Sequence, residues 1–167
     1  MDARLQPVKN ILELNSALLR RALDGVDPDT WERRPNDRTN NLAFIACHAL
    51  DARFYLMKLI GHERTNPWQS LFDASTDVTR MKEYPPVYEL VAEWEELHEA
   101  TLLQLEELSA AELDADSSVT FPTADRSVLG GLSFLAFHEA YHVGQLGLVR
   151  KYVGLDPVVN RGRPASP

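Results

Sequence analysis

The chain has 167 residues, 44% hydrophobic and 25% charged, which suits one globular domain with a sizeable core. Its 25 acidic against 17 basic residues leave a net charge of −8 and a pI near 5.1, which argues against an electrostatic grip on nucleic acid or an anionic membrane. No apolar run approaches the roughly 20 residues that span a bilayer, the opening MDARLQPVKN lacks the apolar stretch of a signal peptide, and the lone Cys47 fits a reducing compartment, so a cytoplasmic location is expected.

Residues 3 to 24 repeat apolar positions at helical spacing through Leu5, Val8, Leu12, Leu19 and Ala22. Asn15 interrupts that stripe and reads as a polar residue at the helix edge, with a position facing the functional site as the alternative. LDGVDPDTWERRP, punctuated by Gly25, Pro28 and Pro35, reads as a loop. A second helix is expected over 40 to 61, capped by Thr39 or Asn40, with a face of Phe44, Ile45, His48, Ala52, Tyr55 and Leu59. The third follows Pro85-Pro86 over 87 to 108 and carries Leu90, Trp94, Leu97, Thr101, Leu105 and Leu108 on one face. The fourth is expected over 127 to 153, capped by Asp125 or Ser127 and stopped at Gly154.

The only β-flavoured stretch, SSVTF at 117 to 121, is too short to found a sheet. PWQSLFD reads as a short helical turn inside a long connection from 62 to 86, and NRGRPASP as a loose tail. The expectation is an all-α four-helix bundle, a single domain over 1–167. Its long crossover between helices two and three means that those two need not be antiparallel neighbours.

FHEAYHVGQ, residues 137 to 145, contains His-Glu-x-x-His, the spelling of a zinc protease. A metzincin needs a glycine and a third histidine where this chain has Gln145 and Leu148, and no Glu follows Glu139 to complete a gluzincin. What survives is His138-x-x-x-His142, two imidazoles on one helical face. The apolar stripe of helix two supplies a third at His48. Three imidazoles from two facing helices form a set suited to a divalent metal with open positions, zinc, nickel or iron.

These residues resemble the DinB/YfiT family of small metal-binding four-helix bundles. The resemblance runs through TWERRPNDRTNNLAFIACHALDARF, VYELVAEWEELHEATLLQLEELSAAELDA and, most specifically, HEAYHVGQLGLVRKYVGL. It implies a DinB-type bundle with the crossover between helices two and three, and zinc or nickel held by His48, His138 and His142. It further implies a transferase, or a related hydrolase or isomerase, that uses a low-molecular-weight thiol cosubstrate on a small-molecule substrate, commonly as a homodimer. The alternative is a non-catalytic metal- or ligand-binding stress-response bundle.

Gln145 and Tyr141 are the candidate catalytic residues, the first as a hydrogen-bond partner of bound water or ligand or the cap of a core cavity, the second as a hydroxyl donor or an ordinary helix-contact tyrosine. Asp51 reads as an edge residue pairing with a neighbour, with an imidazole-orienting role as the alternative. Glu139 reads as solvated, with a general base as the alternative. His98 is expected as a hydrogen-bonded core histidine, His62 as exposed, and Cys47 as a small core residue. Gly130, Gly131, Gly144 and Gly147 would admit a close helix, from this chain or from a second copy.

Overall fold

Four long helices form where the apolar stripes place them, in a computed structural model that describes residues 1–70 and 83–159. They are α1 (Gln6–Leu23), α3 (Leu42–Leu59), α4 (Val87–Glu107) and α6 (Val128–Tyr152), with two one-turn helices, α2 (Pro28–Glu32) and α5 (Ala110–Asp114), in the connections. Leu12, Leu19, Leu50, Leu56, Trp94, Leu97, Leu132 and Leu146 are completely or almost completely buried between the four. Among the described residues no strand forms, and the β-flavoured stretch leaves only an isolated bridge between Asp116 and Ser127. The expected tail at 160 to 167 and the end of the expected turn at 67 to 73 lie outside the described residues.

Contacts along the helices fix their directions. Lys9 of α1 pairs with Glu106 of α4, and Ser16 with Trp94, so α1 and α4 run antiparallel. Asn15 bonds Ala136 and Arg150 bonds Ala22, so α1 and α6 run parallel. His48 meets His142 and Arg53 meets Glu139, so α3 and α6 run antiparallel. It follows that α3 and α4, consecutive long helices that also pack together, point the same way. The chain leaving α3 must return the length of the bundle before α4 begins, which is why the connection is long.

The helix starts show which polar side chains do the capping. Asn41, rather than Thr39 or Asn40, caps α3, accepting from Phe44 N–H at 2.8 Å while donating to the Glu32 carbonyl at 3.0 Å. That double use ties α2 to the helix that carries His48. Ser127 caps α6, and Asp125 supports it by accepting from Ser127 N–H. The stretch read as a loop contains α2 because Asp27 caps it and Pro28 takes its first turn. Ser109 and Glu112 form the reciprocal capping box that starts α5.

Candidate metal centre

The antiparallel packing of α3 on α6 brings His48, His138 and His142 together, with one ring nitrogen of each inside a 4.8 Å cluster. The ring centroids stand 5.3 Å (His48–His138), 4.6 Å (His48–His142) and 4.4 Å (His138–His142) apart. His138 and His142 turn their Nε2 atoms to 3.1 Å from each other. Two nitrogens bound to one ion at about 2.0–2.1 Å would stand roughly 2.9–3.4 Å apart for bond angles between 90° and tetrahedral. The observed spacing falls within that range.

The protonation chemistry agrees. Burial lowers the pKa of all three imidazoles, with neighbouring imidazole charge adding to it at His48 and His142, and His142 falls to about 4. All three are therefore neutral near pH 7, as metal ligands must be. Gln145 fixes the tautomer at His142: its Oε1 accepts from Nδ1–H at 2.7 Å and leaves Nε2 bare toward the cluster. The Nδ1 of His138 is buried without a hydrogen-bond partner among the described residues. A neutral, convergent, nitrogen-only donor set could hold a divalent metal ion.

The cluster borders open space. A cavity of about 240 Å³ lies against His48 and His138, walled by Asp51, Ala52, Tyr55, Phe121, Phe134 and Leu135. Phe121 arrives from the stretch before α6 and packs its ring on Tyr55 at 6.1 Å and Phe134 at 5.3 Å. Asp51 accepts from Asn66 at 2.8 Å and shares the cavity wall with His48. Tyr141 is 57% exposed and stands edge to face with His142, the ring centroids 5.2 Å apart.

The sequence pattern of the DinB superfamily matches residues 11–146, which takes in all three histidines. The chain belongs to the DinB superfamily. No curated protein matches it.

Two expectations fail within this DinB bundle. Glu139 is not solvated: it is 2% exposed and forms a bidentate ion pair with Arg53, Nε to Oε2 at 2.8 Å and Nη2 to Oε1 at 2.7 Å. Helix α6 packs on both α1 and α3, so the side of α6 away from the histidines is the centre of the bundle and not its outside. Burial pushes the Glu139 carboxyl up, and the guanidinium opposes that. Asn15 is likewise buried rather than at an edge, donating to the Ala136 carbonyl at 3.2 Å.

Three further expectations hold. His98 is partly buried and bonded to Arg53 Nη1 at 3.1 Å, His62 is exposed, and Cys47 is buried with its thiol pushed up by desolvation. Sequence reasoning missed Arg53. A signal existed: Glu139 is the only acid in α6, and Arg53 is a lone arginine in the equally apolar α3. Two opposite charges stranded in the two most apolar helices predict each other.

Proposed function

We propose that this protein is a metal-dependent enzyme that joins a low-molecular-weight thiol to a small electrophile, or performs a related hydrolysis or isomerisation, with His48, His138 and His142 as the metal ligands. The observation that carries the reading is the position of the imidazole cluster at the wall of a cavity. A structural metal site is closed by its ligands and needs no adjoining room, whereas a catalytic one keeps an open side. Zinc and nickel are the ions we assign to the donor set. A divalent ion held there supplies Lewis acidity and keeps a bound thiol ionised at neutral pH.

The chain's own residues supply the rest. Gln145 holds the His142 ring so that Nε2 faces the cluster. Tyr55, Phe121 and Phe134 form an apolar wall that excludes water and takes the apolar body of the electrophile. Tyr141, beside His142 and exposed, is positioned to offer its hydroxyl to a substrate arriving from solvent. No helix among the described residues is long and apolar enough to cross a membrane, and we place the enzyme in the cytoplasm. We assign it a homodimeric state on the exposed row Phe137, Leu148 and Tyr152 along α6, the kind of apolar face a second copy covers.

Elemental analysis of tag-free protein tests the metal site, alongside His48→Ala and His138→Ala. The expected result is about one equivalent of zinc or nickel in the wild type and almost none in either variant. Loaded protein is then offered cysteine-derived thiols with a generic electrophile. Metal without turnover on any of them favours the non-catalytic binding bundle, and no metal at all removes both readings.

A further inference from the structure

We propose that the buried Arg53–Glu139 ion pair is a positioning clamp that fixes the register of the two ligand-bearing helices and so sets the affinity of the metal site. The inference rests on the metal reading above and assigns a function to two residues that lie outside the ligand set.

Arg53 lies five residues after His48 on α3, and Glu139 lies between His138 and His142 on α6. The claw and the ion pair therefore join the same two helices at neighbouring levels, about 7.5 Å apart along α3 at about 1.5 Å per residue. Arg53 is 1% and Glu139 2% exposed, and the guanidinium meets the carboxylate fork to fork. Arg53 also bonds Nδ1 of His98 from α4 at 3.1 Å, and its guanidinium carbon lies 4.8 Å from the centre of the Trp94 ring. Asn15 of α1 stands beside the same carboxylate and bonds the Ala136 carbonyl of α6. All four long helices meet at this one charged node, so neither partner can shift alone.

As a stability device the pair is a poor choice, because apolar side chains of similar volume commonly serve a core as well or better. What it adds is direction. Apart from this pair and the imidazoles, the buried side chains of α3 and α6 near this level are apolar, including Leu50, Leu135 and Val143, and apolar contact by itself resists sliding and rotation only weakly. A bidentate fork holds position and angle together. Three imidazoles drawn from two helices require that restraint, since a metal site tolerates misplacement of only a fraction of an ångström. Rotating α6 far enough to swing His138 and His142 off the cluster would also leave the Glu139 carboxylate buried and unpaired. The directional contact sits where helix register matters to the ligands.

The test separates affinity from stability. Zinc affinity is measured by competition with a chromophoric chelator, and thermal stability by circular dichroism, on wild type, the double variant Arg53→Met/Glu139→Leu, and Arg53→Lys. The expected result is a double variant that melts at or above the wild-type temperature yet binds zinc about 10–100-fold more weakly. Arg53→Lys, which keeps the charge but loses the fork, is expected to bind more weakly as well. A folded double variant with wild-type zinc affinity would falsify the clamp while leaving the three-histidine site standing. Should the double variant fail to fold, Arg53→Lys decides alone, and wild-type affinity there overturns the proposal. A wild type that binds no zinc removes the site itself, and the clamp with it.

Discussion

Gln145 and His142 are one turn apart on α6, and the 2.7 Å bond between them decides which imidazole nitrogen is bare. His98 is governed by a partner in the same way. Arg53 donates to its Nδ1, which demands a neutral ring, and burial followed by the Arg53 charge lowers its pKa from 6.5 to about 4. The sign follows from that direction. Between pH 6.5 and about 4 the unfolded chain binds a proton at this position that the folded chain refuses, so the stabilisation present above 6.5 is lost as pH falls through that window. The urea midpoint of metal-free protein should therefore decline from pH 7 toward pH 4. His98→Gln, which keeps an acceptor and cannot titrate, should make that decline shallower; an unchanged slope would assign the acid sensitivity to other groups.

The glycines of α6 look alike in sequence and differ in what surrounds them. A Cβ on Gly131 would stand 2.6 Å from the Phe121 ring and 2.8 Å from Leu59, so this glycine lets the cavity wall and α3 close on α6. One on Gly130 would meet the Asp125 carbonyl at 2.6 Å. Among the described residues Gly144 faces nothing within 4 Å, and Gly147 only a Val158 methyl at 3.6 Å. Close approach within the chain therefore belongs to Gly130 and Gly131. Gly131→Ala is expected to cost about 1–3 kcal/mol by overpacking. Gly144→Ala should stabilise an isolated α6 by about 0.5–1 kcal/mol through helix propensity. Chemical denaturation of the two variants beside wild type checks both, and a destabilising Gly144→Ala would mark that position as occupied by a second chain. The far end of α6 contributes differently: Arg150 is buried and donates to the Ala22 and Asp24 carbonyls, covering acceptors left open where α1 ends, and to the Asp156 carbonyl just beyond its own helix.

Among the described residues, two polar groupings tie the long helices of the bundle together, the imidazole cluster at its edge and the Arg53–Glu139 node at its centre. Both join α3 to α6, and the node also reaches α1 and α4. On the outside, Phe137, Leu148 and Tyr152 form a row along α6, with Ile11 and Leu14 exposed on the parallel neighbour α1. Equilibrium sedimentation should give twice the chain mass of 18.8 kDa. The pair Phe137→Glu and Leu148→Glu, made together, should halve it, because two charges placed in a self-complementary apolar face repel across the symmetry axis. A wild type that sediments as a single chain would count against the dimer and leave the metal reading untouched.

Much of the fold was legible in the chain. Periodic apolar residues set the four long helices to within three residues at each end, because helical amphipathicity is a local property that the order of residues encodes directly. The long connection pointed to a crossover for the same reason, since its length is read off without any structure. His48, His138 and His142 stood out because imidazoles are conspicuous within apolar stripes. What the chain order did not reveal was everything that depends on which helix faces which. Glu139 read as solvated because its own helix offered it no partner, and Arg53 passed unnoticed because its acid lies 86 positions away. Phe121 gave no sign that it would wall a cavity, nor Asn66 that it would hold Asp51. A side chain's identity is local, but its burial and its partner are set by packing between distant segments, and only the tertiary structure decides those.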